Sequence, residues 1–272
     1  MPEGHVIHRL AQGLTDRFGG RPVRVSSPQG RFADEAALLD GDVLADAQAH
    51  GKHLFVDFGP DRIVHIHLGL IGKLWLLDGP PTSPAGPGTL RLLIERDRFR
   101  AELRGPQWCR LITDEAREAV IAKSGDDPIR PDATGEKAWA KISRSGRSLA
   151  SLLMDQSVTA GVGNIYRAEV LYRHRLDPAK PGKTLSRRTW NAVWHDLVVL
   201  MRAGVDDGRI DTVRPEHTPE AMGRPPRVDA HGGEVYVYRR AGLPCLVCGT
   251  EVRTRLLEGR NLYWCPRCQR RR

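Results

Sequence analysis

Apolar residues recur along the chain at two different periods, and the changes of period divide it. Ile7, Leu10, Ala11, Leu14 and Phe18 lie three or four residues apart, which predicts one face of a helix that Gly19-Gly20 stops. Between residues 21 and 111 the period falls to two. Val23 and Val25 flank Arg24; Leu54, Val56 and Phe58 alternate with His53, Phe55 and Asp57; Val64, Ile66 and Leu68 alternate with His65 and His67. Further strands are expected at 73–77, 90–95 and 99–103, and 79–88 reads as a Gly/Pro-rich loop between two of them. Six or more short strands with such breaks suggest a β-sandwich. Helical spacing then returns. It predicts a short helix at 113–123, an apolar stripe of Leu149, Leu152 and Leu153, and a helix at 165–172. A long helix capped by Ser186 would bury Trp190, Val193, Trp194, Leu197 and Met201. Segment 204–233, rich in Pro, Asp and Arg, reads as an irregular loop.

The expected class is therefore α+β: an opening helix and a sandwich domain at 1–112, an interdomain linker at 113–134, a helical domain at 135–235 and a small terminal unit at 236–272. Within the linker, 124–134 is the stretch rich in Gly, Pro and Asp. A length of 272 residues suffices for two cores. Net charge +9 and a pI near 9.7 suit a polyanionic partner. No run is long and apolar enough to span a bilayer, and nothing near the start reads as a secretory signal, so a cytoplasmic, reducing setting is expected.

That setting decides how the cysteines are read. Cys245, Cys248, Cys265 and Cys268 form two Cys-x-x-Cys pairs separated by sixteen residues. The spacing suits four thiolates around one zinc with a hairpin between the knuckles, and disulfides do not persist in a reducing compartment. Four thiolates leave no open coordination position, so the ion is structural. Between Tyr236 and Arg272 nine arginines stand against two glutamates, +7 of the chain's +9. A metal-pinned hairpin this rich in arginine is the footprint of a nucleic-acid contact; the competing reading is a zinc ribbon that binds protein.

Other candidates are weaker alone. Cys109 beside Trp108 reads as a small buried hydrophobe. His65 and His67 share a strand face and read as polar-face histidines, metal ligation lacking a third partner. Lys52, between Gly51 and His53, reads as a solvated strand end. Gly161 and Gly163 frame a turn, with Asn164 as the cap of the following helix; such a helix start offers backbone N–H groups to a phosphate, but an ordinary helix hairpin fits equally. Met1-Pro2-Glu3 would, after loss of the methionine, begin the chain with a secondary amine followed by a carboxylate.

Five motifs in order give the chain a resemblance to the formamidopyrimidine-DNA glycosylase / endonuclease VIII family. They are Met-Pro-Glu-Gly at the start, Gly51-Lys52, His67-Leu68-Gly69-Leu70, Gln156-x4-Gly161-x-Gly163-Asn164-Ile165-Tyr166, and Arg260-x4-Cys265-Pro266-x-Cys268-Gln269. The resemblance implies a bifunctional DNA glycosylase/AP lyase of base-excision repair. It further implies one structural zinc, damaged double-stranded DNA as partner, no membrane, a monomer, and a cytoplasmic, nucleoid-associated location. It makes Pro2 the nucleophile, Glu3 the proton donor, Lys52 a phosphate contact that assists elimination, Asn164 a second phosphate contact, and Arg260 the clamp on the zinc hairpin. Leu70 becomes the side chain that fills the gap left by the rotated-out nucleotide, with Phe99 a weaker candidate, and Lys123 stands where a DNA-contacting arginine is expected. Asp97-Arg98-Phe99-Arg100 replaces the family's Arg-Arg-Phe-Gly and keeps Arg98 as a DNA contact. The Tyr263-Trp264-Cys265-Pro266 ending and the Arg214-Pro215-Glu216-His217 loop lean toward the endonuclease VIII branch and oxidised pyrimidines. Two other classes compete: a DNA-structure-binding relative without catalysis, and a metal-dependent hydrolase using His50, His53, His65 and His67.

Overall fold

A computed structural model of the chain describes residues 2–79, 89–229 and 233–270. Met1, residues 80–88 of the expected loop, residues 230–232 and residues 271–272, two of the nine terminal arginines, lie outside the described residues. The chain divides into two compact units, Met1–Lys123 and Ser124–Arg272.

In the first unit, helix α1 (Gly4–Phe18) buries Ile7, Ala11, Leu14 and Phe18, the face its spacing predicts, while Leu10 is half-buried at the margin. Each such large side chain contributes roughly 1.5–3 kcal/mol by leaving water. A two-stranded pair, β1 (Arg21–Pro22) with β3 (Val43–Leu44), and a short helix α2 (Ala33–Leu39) lie beside two four-stranded antiparallel sheets. One sheet runs β10 (Trp108–Ile112), β6 (Ile63–His67), β5 (His53–Asp57), β4 (Asp46–His50). The other runs β2 (Arg24–Ser26), β8 (Leu90–Arg96), β9 (Phe99–Arg104), β7 (Lys73–Asp78). Leu54, Val56, Val64 and Ile66 from the first and Val25, Leu92, Ile94 and Leu103 from the second meet in one core, which the period-two pattern requires. Helix α1 packs along β4 and β5. Cys109 is buried in this core, and desolvation pushes its thiol up to about 12, so it behaves as an inert small hydrophobe. Helix α3 (Asp114–Lys123) closes the unit and buries none of its residues; its start is held by Asp61 and Asp114, each accepting the other's backbone N–H at 3.0 and 3.1 Å.

The second unit contains α4 (Glu136–Ile142), α5 (Leu149–Met154), α6 (Asn164–Arg173), α7 (Arg187–Asp207), α8 (Pro219–Met222) and the hairpin β11 (Arg253–Leu257)–β12 (Arg260–Trp264). The stripe Leu149, Leu152, Leu153 and the α7 residues Trp190, Val193, Trp194, Leu197 and Met201 are buried together with Val252, Leu262 and Tyr263 of the terminal segment, so helices and hairpin share one core. Ser186 caps α7, its hydroxyl accepting from Thr189 N at 3.1 Å. Segment 204–233 is less irregular than its composition implies: α7 extends into it to Asp207, and a 3-10 turn Pro215–His217 precedes α8.

Residues 124–134, read from composition as linker, pack into the second unit. A Cβ at Gly125 would sit 2.2 Å from Val158 O, so only glycine allows that approach. Asp126 and Asp127 are buried because their carboxylates serve backbone donors, Ala138 N at 3.1 Å and Ile129 N at 3.0 Å. The acidic residues of the expected linker instead hold backbone N–H groups, Asp126 in the first turn of α4 and Asp127 in a local turn.

Candidate functional site

Pro2 and Glu3 stand at the start of α1. Glu3 is its N-cap, in extended conformation and 2% exposed, and Pro2 is half-buried. The positive end of the helix dipole lies here, which disfavours a protonated amine. Lys52 is half-buried in a two-residue turn joining β4 to β5, the strands along which α1 packs. Gly51 supplies the positive φ of 60° that so tight a hairpin turn needs, which explains the Gly-Lys pair.

Beside Lys52 lies an aromatic shelf on the outer face of the sheet. His53 and His65 approach to 3.0 Å (Nδ1 to Nε2), His53 and His67 rings lie 5.3 Å apart, and Trp108 stacks on His67 at 4.5 Å. Burial, then the mutual proximity of the rings, lowers His53 to about 3; burial and neighbouring His67 lower His65 to about 4; burial and Lys52 lower His67. The shelf is thus uncharged near neutrality. Phe55, paired with His65 in the β5–β6 register and stacked on it at 4.8 Å, completes this face. Among the described residues the only converging group of three or more His, Cys, Asp or Glu ligand atoms is the four cysteines, so the histidines do not assemble the hydrolase centre considered from sequence.

His67 also shapes the next loop. Its Nδ1 accepts from Gly69 N at 3.2 Å, and Gln107 N donates to His67 O at 2.9 Å. Gly72 is packed so tightly that a Cβ would lie 2.3 Å from Leu68 O. The loop thereby presents Leu70 and Ile71 to water, 65% and 82% exposed. Arg98 occupies the β8–β9 turn with its guanidinium 5.2 Å over the Phe99 ring, and Lys123 is exposed at the end of α3.

In the second unit, Gln156 explains its own motif. Its amide donates to Met154 O and Val162 O, both at 2.9 Å, and accepts from Gly161 N at 3.1 Å, stapling the turn before α6. Asn164 is not the cap: Gly163 is the N-cap and Asn164 the first helical residue. Its side chain is committed elsewhere, donating to Asn261 O at 3.0 Å and accepting from the buried Arg167 guanidinium, which also reaches Asn261 O at 3.4 Å. Asn164 is therefore tied to the residue next to Arg260. Arg260 opens β12 after a Glu258–Gly259 turn with both φ positive, and is half-buried. Arg167 escaped the sequence reading, although its place three residues after Asn164 was the available signal.

The four Sγ atoms lie within 4.8 Å of one another, Cys248 to Cys265 at 3.5 Å and Cys245 to Cys268 at 3.9 Å. Thiolates tetrahedral about zinc at 2.3 Å stand about 3.8 Å apart, so this set fits zinc. Tyr172 Oη, 2.9 Å from Cys245 Sγ, supplies a hydroxyl that steadies a thiolate ligand.

Three domain profiles match in series. They are the formamidopyrimidine-DNA glycosylase N-terminal domain at residues 1–114, the formamidopyrimidine-DNA glycosylase H2TH domain at 124–214, and the zinc finger found in FPG and IleRS at 242–271. The chain is 48% identical to Endonuclease 8 1 of Mycobacterium tuberculosis over 274 residues, covering 99% of this chain and 100% of that protein. It is 30% identical to the formamidopyrimidine-DNA glycosylase of Methylococcus capsulatus over 284 residues, with 99% and 100% covered. Among solved structures, MutM in complex with carbocyclic 8-oxo-G containing DNA and Lactococcus lactis Fpg with an abasic site containing DNA both superpose with a TM-score of 0.78 at 20% identity, covering 99% of this chain and 100% of theirs.

Proposed function

We infer the function from one premise: the chain belongs to the formamidopyrimidine-DNA glycosylase / endonuclease VIII family. It is a DNA glycosylase with AP lyase activity that acts on damaged DNA in base-excision repair and carries one structural zinc. Oxidised pyrimidines are the proposed substrates, which the 48% identity to a protein named Endonuclease 8 supports over the 30% identity to one named for formamidopyrimidine.

In the mechanism proposed, the nitrogen of Pro2, freed by loss of Met1, attacks the sugar C1′. The C1′–N bond to the base breaks, the base leaves, and an iminium links protein to sugar. A terminal amine titrates near 8, against roughly 10.4 for lysine, and the helix dipole at Pro2 disfavours its protonation further, so a neutral nucleophile is present at pH 7. The cationic iminium acidifies the adjacent C2′–H, whose loss expels the 3′ phosphate. Glu3, next in the chain and shielded from water, gives a proton to the opening sugar ring. Lys52, Asn164 and Arg260 bind phosphates of the damaged strand, with Lys52 assisting the first elimination and Arg260 the second; Arg98 and Lys123 add backbone contacts, and Leu70 fills the gap in the duplex. The first unit, through Lys123, would thus carry the chemistry together with the Lys52 phosphate contact, and the second, from Ser124, the rest of the phosphate grip. No helix among the described residues is long and apolar enough to cross a membrane; the nucleoid is the proposed place of work because the substrate is DNA.

The observation that carries the mechanism is the seating of Pro2 and shielded Glu3 together at the positive end of α1. Borohydride reduction on DNA holding an abasic site should trap the protein, and digestion of the adduct should map the sugar to Pro2. An adduct mapped to Lys52, or a protein that binds but neither traps nor nicks, overturns it.

A further inference from the structure

The far end of α6 from Asn164, roughly 15 Å along a ten-residue helix, carries features that DNA chemistry does not use. Two cavities of about 330 and 540 Å³ open side by side there and share Arg175, Val247 and Cys268. The first is floored by the stacked rings of Tyr172 and Tyr236, 4.6 Å apart. Its wall is the Arg214-Pro215-Glu216-His217 segment, fixed because Arg214 N and His217 Nδ1 both meet Tyr236 Oη, at 2.9 and 2.8 Å. The second is lined by Lys180, Arg267 and Arg270.

The charge is one-sided. Six lysines and arginines line the two cavities against Glu216 and Asp177, and Asp177 already accepts from Ala179 N at 2.8 Å. Arg173 is taken up by Asp196 at 2.7 Å. The charged groups of Arg175, Lys180, Arg267 and Arg270 have no hydrogen-bond or ion-pair partner among the described residues. Arg175 is held in the left-handed region (φ 53°) just past the end of α6, where Arg175 N bonds Tyr172 O and Leu176 N bonds Leu171 O, both at 2.9 Å. Glycine ordinarily fills this position, and a side chain there is disfavoured. The arginine gains no partner in exchange, yet it stands at the waist of both cavities beside Val247, an apolar residue 43% exposed.

We propose that this two-lobed groove docks an extended acidic peptide segment of a partner protein, its carboxylates on Arg175, Lys180 and Arg267 and one apolar side chain against Val247. Guanidinium forks pair with carboxylates in bidentate fashion, and two lobes in line suit a chain better than a single ion. The proposal does not depend on the lesion chemistry, since the groove holds none of the residues given a catalytic or phosphate-binding role there; it does hold zinc ligands, the Arg214–His217 loop, and Arg267 and Arg270 of the arginine-rich terminal segment, for which the duplex competition below is the control.

Fluorescence anisotropy on the zinc-loaded full chain tests it, with a labelled Asp-Asp-Asp-Leu-Asp-Asp peptide as probe and its Asn-for-Asp counterpart as control. The acidic peptide should bind with steep salt dependence, about tenfold or more above the neutral one, and Arg175→Gly should weaken it about tenfold. Glycine suits the left-handed backbone, so this variant keeps its fold; Arg267→Ala provides a second reading. Equal binding of both peptides, or unchanged affinity in both variants, overturns the proposal. So does an undamaged duplex that displaces the peptide and itself binds more weakly to Arg175→Gly, since the groove would then be a nucleic-acid surface.

Discussion

Glu169→Gln is the substitution whose cost is most directly worked out. Glu169 is 0% exposed on α6, and its carboxylate accepts four hydrogen bonds: Thr212 Oγ1 and Tyr236 N to one oxygen, both at 2.7 Å, and Val237 N and Tyr238 N to the other at 2.9 and 2.8 Å. Glutamine keeps the volume but turns one oxygen into a donor. Two of the four buried donors then lose their acceptor, at about 1–3 kcal/mol each, and the other two trade a charged acceptor worth about 1.5–3 kcal/mol for a neutral one worth about 1. The sum, with relaxation allowed for, is about 3–6 kcal/mol, a large share of a typical total of about 5–15 kcal/mol. For a chain of this size each kcal/mol lowers the melting temperature by about 2–4 °C. Thermal unfolding followed by circular dichroism with zinc present should therefore show a fall of at least about 6 °C. Because residues 236–238 lead into Cys245, zinc release by a chelator should also quicken. A shift under about 3 °C would mean that the carboxylate does not organise this segment.

Other expectations concern the DNA contacts, the histidines and the metal. Arg260→Ala should cost roughly 1.5–3 kcal/mol of DNA affinity and shallow the salt slope by about one, read by band shift over a salt series; unchanged affinity and slope count against the clamp. Leu70→Ala should leave the melting temperature within about 2 °C, because the side chain is 65% exposed, while slowing nicking of lesion duplex; equal rates remove Leu70 from gap filling. His5, His53 and His65 are lowered, chiefly by burial, to about 4, 3 and 4. The unfolded chain takes up protons near 6.5 that the folded chain refuses, so their contribution is whole above pH 6.5 and is lost as pH falls toward 4. The urea midpoint should fall between pH 7 and 4.5, and a flat profile refutes the burial argument; Asp196, held down to about 2 beside Arg173 and His174 despite burial, enters only below about 4. Cys265→Ser should loosen the β11–β12 hairpin and with it DNA binding, measured by zinc stoichiometry and band shift; full DNA affinity without metal removes the structural role.

Much of the fold was legible because period carries burial. The α1 face, the alternation of β5 and β6 and the stripe of α7 each reappear as the buried set. What failed was polarity taken as exposure. Asp126 and Asp127 fall in a stretch that reads as linker, and Arg167 and Glu169 carry no sequence reading, yet all four are buried because backbone groups meet them, from Ile129 N two residues beyond Asp127 to Tyr236 N sixty-seven beyond Glu169. The distant partners, such as Tyr236 for Glu169 and Asn261 for Arg167, leave no local pattern. Asn164 was misplaced as a cap for a similar reason: its side-chain amide donates to Asn261 O, ninety-seven residues on. The four cysteines were legible since two short spacings define them without any tertiary knowledge.

The match to a zinc-finger profile begins at residue 242, but no physical seam falls there. Val252, Leu262 and Tyr263 are wedged among residues of α6 and α7, so a fragment cut at that boundary would carry away part of a shared interior and leave both pieces with raw apolar surface. Transplanting the finger onto another scaffold, or deleting it to make a minimal glycosylase, should give aggregates rather than modules.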